Sequence, residues 1–235
     1  MITHTNDCPV KWGASVDCVA GYPCPRAAYT IPQVQASGGY DVIYADPAWQ
    51  YADRTCNGAA EKHYSTMTIE EICRLPVQYI AAKDCALFLW ATYPLLPEAL
   101  RVIEAWGFTY KSIAFQWVKY RDNGRAFYGT GRWTRGNSEP CLIATRGKPK
   151  RQHLGISQLV ETWDVDDHIL RAQPTQHSAK PAEVRDRIAQ LMGDTARIEL
   201  NARTRAEGWD AWGDELPGGP DVILTDRDYQ LLRTP

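Results

Sequence analysis

Short apolar runs separated by helical patterns govern what this chain can become. The longest uninterrupted apolar run is Cys85–Ala91, seven residues, far short of the ~20 that a membrane-spanning helix needs. Runs of this kind read as buried strands: Tyr40–Ala45, Cys85–Trp90, Ile113–Val118, Cys141–Thr145 and Arg197–Leu200, with Asp221–Leu224 as a last candidate. Helical signals lie between them. Thr68-x-x-Glu71 is a capping box that opens a helix to about Leu75. Pro97–Trp106 puts Leu100, Ile103 and Trp106 on one face before Gly107 ends it. Pro181 suits the first turn of a helix that stops at Gly193. Strands alternating with helices predict an α/β fold with a mainly parallel sheet and helices on both faces. Ligands of such sheets sit at the carboxyl ends of the strands.

The 235 residues fit one domain with small appendages. Residues 1–39 read as an irregular N-terminal segment, punctuated by Pro9, Gly13, Gly21, Pro23, Pro25 and Gly38-Gly39. Residues 40–216 carry the regular pattern, and 217–235 read as a C-terminal extension packed on the same domain. Seven cysteines spread from Cys8 to Cys141 show no paired spacing, which predicts reduced thiols. Cys8, Cys18 and Cys24 match no common zinc spacing, so no metal is expected. Met1–Gly13 has no apolar core of a signal peptide. The expectation is a cytoplasmic protein with no membrane partner.

A net charge of −2 conceals an uneven distribution. Between Lys119 and Arg151 nine basic residues, among them Lys119, Arg132 and Arg135, face only Asp122 and Glu139. That segment carries +7 and leaves −9 on the rest of the chain. A concentrated basic face on an acidic body suits local contact with phosphates, or it is a solvated loop. Tryptophan and tyrosine total 21 against four phenylalanines, a bias toward rings with a polar edge.

The first strand runs straight into Asp46-Pro47-Ala48-Trp49. An acid at a strand's carboxyl end and a proline-fixed carbonyl can together accept both N–H groups of an exocyclic amine. The aromatic can then stack on an extruded base. With both N–H groups held, the nitrogen lone pair points at an electrophile, and no prior deprotonation is required. The alternative is a plain strand-end turn, which Asp-Pro pairs commonly start.

Seven motifs in order extend that reading: DVIYADPAW at 41–49, HYSTMTIEEI at 63–72, CALFLWAT at 85–92, AWGF at 105–108 with WVK at 117–119, HSAKP at 177–181, IELNAR at 198–203 and GWDAWGDE at 208–215. On these the chain resembles the adenine N6-methyltransferases of the MT-A70 family, over about three quarters of its length. The resemblance implies a Rossmann-like class I methyltransferase fold in permuted motif order, with S-adenosylmethionine as cofactor. It assigns Asp46, Pro47 and Trp49 to catalysis. It assigns Asp46, Lys180, Arg203, Asp214 and Glu215 to the cofactor, and the loop after Arg197–Leu200 would place Asn201 and Thr204 beside its ribose. Tyr64, Lys119, Arg132 and Arg135 are the expected substrate contacts. Alternatives stay open for several: Lys180 as a surface lysine, Arg203 in a salt bridge with Glu199 or Glu207, Tyr64 in packing, and Trp209 and Trp212 as packing residues. Three positions depart from the family pattern: Ala48 where proline is usual, Asn201 in place of phenylalanine, and Asp214 in place of asparagine.

The implied function is transfer of a methyl group from S-adenosylmethionine to the N6 amine of adenine in nucleic acid, with DNA favoured over RNA. An inactive or weak nucleic-acid-binding partner subunit of the same family is the alternative, but the retained Asp46, Trp49 and Lys180 weigh against it. A small-molecule methyltransferase is disfavoured by the basic segment. The sequence leaves a homo- or heterodimer open.

Overall fold

Alternation within the apolar runs decides the architecture. In the computed structural model, which describes residues 28–50, 66–121, 123–129, 133–162 and 179–225, Tyr40–Ala45 is a strand buried on both faces. It is the second strand, β2, and follows β1 (Tyr29–Thr30) and α1 (Ile31–Ala36). Then come α2 (Ile69–Arg74), α3 (Val77–Ile80), β3 (Ala81–Trp90), a 3₁₀ turn at Tyr93–Leu95, α4 (Leu96–Ala105), β4 (Thr109–Lys119) and β5 (Ser138–Arg146). The chain continues through β6 (Leu159–Thr162), α5 (Ala182–Met192), β7 (Arg197–Leu200), β8 (Asp210–Trp212) and β9 (Val222–Ile223).

Seven strands form one sheet in the order β6-β4-β5-β3-β2-β7-β8. β2 pairs in parallel with β3 and β7, β7 with β8, and β4 with β6, whereas β5 runs antiparallel to both β3 and β4. The sheet is mainly parallel, as expected, and β5 alone is reversed. That reversal matters for the site. It makes β4 and β5 a long hairpin and brings the amino end of β5 to the edge where the other strands end.

Period two along the strands feeds two cores. Ile43, Ala45, Leu87 and Leu89 face α1–α4 through Val34, Ile72, Val77, Val102 and Trp106. Val42, Tyr44, Phe88 and Trp90 face α5 through Val184, Ile188 and Met192. Helices therefore cover both faces, the arrangement of a Rossmann-like fold. Among the described residues no helix is long and apolar enough to cross a membrane.

The structure departs from the sequence reading at the margins. Within the segment read as irregular, Thr30-x-x-Gln33 caps α1: the Gln33 side chain accepts the Thr30 N–H at 2.8 Å. β6 and β8 carried too few consecutive apolar residues to stand out, since β6 buries Val160 alone. Thr109–Ser112 extend β4 with exposed residues that give no apolar signal. The last candidate strand joins β1 in a separate two-stranded sheet. Cys8, Cys18 and Cys24 lie outside the described residues, as do Tyr64 and Arg132.

The capping box at α2 is formed as expected. Thr68 Oγ1 accepts the Glu71 N–H at 3.2 Å, and the Glu71 carboxylate accepts the Thr68 N–H at 2.8 Å. Thr68→Ala removes the first of these bonds and should lower stability by about 1 kcal/mol. A shifted urea midpoint at unchanged slope checks it.

Candidate active site

The carboxyl ends of β2, β3 and β7 border a cleft of about 760 Å³. Asp46, Pro47 and Trp49 enter it from β2, Trp90, Ala91 and Thr92 from β3, and Asn201 and Arg203 from β7. Lys180 lines it from just before α5, Glu139 from β5, and Asp214 and Glu215 from the turn after β8. Glu71 and Arg74 of α2 complete the opposite wall.

At its base four charges alternate. Lys180 Nζ donates to Asp46 Oδ2 at 2.8 Å and stands 3.4 Å from Glu139 Oε2. Glu139 in turn pairs with the Lys119 ammonium. The order Asp46–Lys180–Glu139–Lys119 gives every charge an opposite neighbour, which a half-buried site requires. Burial pushes the Asp46 carboxyl above its usual range, and the Lys180 charge only partly offsets it. Burial alone would lower Lys180, but the two carboxylates overcome it and raise its pKa. Burial would raise Glu139, yet Lys180 and Lys119 hold it below the usual carboxylate range. Asp46 is thus a carboxyl whose charge burial disfavours and one lysine partly restores. The neighbouring Cys141 thiol is pushed well above its usual range by burial, with the Asp46 charge adding to it. A protonated thiol is a poor nucleophile.

The tetrapeptide forms a tight turn. Pro47 O accepts the Trp49 N–H at 2.8 Å, which leaves that carbonyl a second lone pair. Ala48 O accepts the Met67 N–H at 2.8 Å, and Trp49 and Met67 form a parallel bridge. A backbone tie thus braces the turn at the position where the family usually has proline. Trp49 is 5% exposed, and its indole N–H donates to Trp90 O at 3.2 Å. Its ring belongs to the core as much as to the cleft wall.

The far wall depends on a close approach between two turns. Ala202 N–H donates to Trp212 O at 2.9 Å, and a Cβ on Gly213 would lie 2.2 Å from Ala202 O. Only glycine lets Asp214 and Glu215 come alongside Asn201 and Arg203. Asn201 has φ 60°, a left-handed conformation that asparagine tolerates far better than phenylalanine does. The second departure from the family pattern therefore answers a backbone demand. Its Oδ1 is buried with no hydrogen-bond partner among the described residues, while the residue lines the cleft. A buried orphan acceptor fits a bound ligand with a donor group, such as a ribose hydroxyl. Arg203 Nε lies 3.5 Å from Glu215 Oε2, so its salt bridge is with Glu215 rather than Glu199 or Glu207. Glu199 pairs with Arg185 at 2.8 Å.

Of the residues singled out in sequence, Asp46, Pro47, Trp49, Lys180, Asn201, Arg203, Asp214 and Glu215 meet at this cleft. Thr204 is exposed and does not line it. Lys119 is engaged with Glu139 and sits 4.0 Å over the Trp117 ring. Arg135 is exposed on the β4–β5 hairpin, outside the cleft. Trp209 and Trp212 are 7% and 4% exposed and pack in the core, with Trp212 also touching the cleft. Glu139 was missed. Its signal was an acid just before the CLIAT strand within an otherwise basic stretch.

The MT-A70 family model matches residues 40–215, a window that encloses this whole constellation. The chain is 33% identical over 206 residues to the type II methyltransferase M.MunI of Mycoplasma sp., covering 79% of this chain and 82% of that protein. It is 28% identical over 198 residues to the human N(6)-adenosine-methyltransferase catalytic subunit METTL3, covering 81% of this chain but 31% of that one. It is 24% identical over 205 residues to the mouse N(6)-adenine-specific methyltransferase METTL4, covering 39% of its length.

Proposed function

The chain belongs to the MT-A70 family of adenine N6-methyltransferases, and on that premise we propose that it methylates the N6 amine of adenine in nucleic acid, with S-adenosylmethionine as donor. The observation that carries this reading is the Asp46 carboxylate, held by Lys180 at 2.8 Å at the base of a cleft that ends three strands. DNA is favoured over RNA because the alignment to the type II methyltransferase runs over 82% of that protein, against 31% of the adenosine methyltransferase subunit.

Asn201 Oδ1, the Arg203–Glu215 pair and Asp214 would hold the cofactor, whose contribution when bound is an electrophilic methyl group. Lys180 has three N–H donors, so one remains for a bound carboxylate beside its contacts to Asp46 and Glu139. Asp46 and the second lone pair of Pro47 O accept the two N–H groups of the target amine. That fixes the nitrogen and orients its lone pair, so catalysis rests on positioning and on a negative group near the developing ammonium. Trp49 and Met67 wall the base pocket. Glu139 positions Lys180.

Methyl transfer from labelled cofactor to duplex DNA, single-stranded DNA and RNA, followed by nucleoside analysis, tests the reading. N6-methyladenine in DNA is expected. Label in RNA alone would reverse the substrate preference, and binding without label would point to a non-catalytic subunit. Asn201→Gly keeps the left-handed conformation and removes the side chain that carries the orphan acceptor. Cofactor affinity by calorimetry should fall about two- to tenfold, the scale of one neutral hydrogen bond.

A further inference from the structure

Seven tryptophans lie among the described residues, and six of them are between 0 and 8% exposed. Trp133 is 98% exposed. It sits on the β4–β5 hairpin, at the edge of the sheet where Glu139 and Lys119 meet the cleft's charge chain. The hairpin is built, since Phe127 N–H donates to Lys119 O at 2.9 Å and Gly129 N–H to Gly136 O at 2.7 Å. A Cβ on Gly129 would lie 2.8 Å from Gly136 O, so this neck needs glycine. Trp133 falls between the two neck residues in sequence. Tyr128 beside the neck is 61% exposed, and Tyr93, whose hydroxyl hydrogen-bonds Ser138 at the hairpin's base, is 50% exposed.

Resting on the nucleic-acid reading above, we propose that Trp133 stacks on a nucleobase of the substrate strand outside the target pocket. Charge selects the occupant. Trp133 is set in the hairpin connection 120–137, whose sequence holds Arg121, Arg125, Arg132 and Arg135 against Asp122 alone, and Arg135 beside it is exposed. A partner with repeating negative charge and flat apolar rings meets both features, and every base offers a π-face. The contact is therefore sequence-tolerant. It holds the strand while Asp46 takes the adenine.

The test uses the full chain and fluorescent DNA oligonucleotides, duplex and single-stranded. Trp133→Ala should weaken binding about five- to a hundredfold, the range for loss of one base–aromatic stack. The slope of affinity against salt should not change, because no phosphate contact is lost. Arg135→Ala should flatten that slope instead. Trp133→Phe should recover most of the affinity. In the parent, bound DNA should shield one tryptophan from acrylamide quenching, and the Phe variant should lack that component. Parent-like affinity in Trp133→Ala overturns the proposal. So does a parent that self-associates and an Ala variant that does not, at equal DNA affinity, since the ring then serves a second copy of the chain. If the parent neither binds nor methylates any nucleic acid, the adenine reading fails and this proposal with it. If the parent does both and Trp133→Ala equals it, this proposal alone fails.

Discussion

Asp46→Ala should reduce methyl transfer to background, a loss on the order of a thousandfold or more, while leaving the chain folded. A pre-organised acceptor that holds the reacting amine contributes on the scale of other transition-state hydrogen bonds, about 10²–10³ each. Asp46 contributes position and negative charge together. The fold should tolerate its loss because the charge chain only shortens: Lys180 keeps Glu139 at 3.4 Å, and Glu139 keeps Lys119. Asp46→Asn keeps one acceptor but turns an N–H pair toward the target amine, so it should be partly active at best. Activity is measured by N6-methyladenine formation, and folding by near-ultraviolet circular dichroism, to which the buried tryptophans contribute. A folded alanine variant with parental turnover would remove the acid from the mechanism.

The central strands were legible from their own pattern: Tyr40–Ala45 is buried on both faces, and Arg197–Leu200 alternates buried Ile198 and Leu200 with half-buried charged residues. Tyr40–Ala45 and Arg197–Leu200 have the same bounds in sequence and structure. Helix punctuation was equally readable. Gly107 and Gly193 follow α4 and α5 with φ 79° at each, a conformation that favours glycine. Illegible parts were those stabilised by neighbours rather than by their own pattern. β8 is three residues held beside β7, and β1 is two residues held beside β9. The reversal of β5 depends on a hairpin connection, residues 120–137, whose length hides it among crossover lengths.

At the site, single residues with a motif position were found, and pairings were not. Asp46 and Lys180 stand 134 positions apart, and each was singled out for a ligand rather than for the other. Glu139 carries no motif of its own and gains its role from the strand reversal. Lys119 looked like a free cation in a basic run until Glu139 folded against it. Asn201 read as a departure, and its backbone angle supplies the reason. Sequence reports which groups are present, whereas charge compensation is settled only when the sheet closes.

Lys180→Ala should therefore have two large effects that separate by pH. Removing the ammonium leaves the Asp46 and Glu139 carboxylates facing each other. Breaking a buried pair from one side costs about 3–5 kcal/mol, and the lower end applies here because Glu139 keeps Lys119 and the Asp46 side chain is 26% exposed. The second effect is on ionisation. Protonation of Asp46 removes its charge and turns one acceptor oxygen into an O–H donor, so turnover falls as pH drops through its pKa. In the parent that pKa already lies above the usual carboxylate range, because burial outweighs Lys180. Without Lys180, burial and the Glu139 charge act unopposed by their main counterweight, and the acid limb of kcat/KM must move to higher pH. Lys180→Arg restores a cation and should return the limb toward the parent, with turnover still reduced because the guanidinium fork fits a lysine site poorly. Stability has its own pH signature. Glu139, held low in the parent, contributes stability that is present above its unfolded pKa and lost as pH falls through the folded one. Loss of Lys180 raises that folded pKa, so less of this acid-sensitive stability remains. Chemical denaturation at about pH 3 and about pH 7, on either side of the ordinary carboxylate range, reads the Glu139 contribution, whereas the acid limb of kcat/KM reads Asp46. An acid limb that stays in place in a folded alanine variant would mean that Lys180 acts on the cofactor alone, and that the charge chain does not set the working state of Asp46.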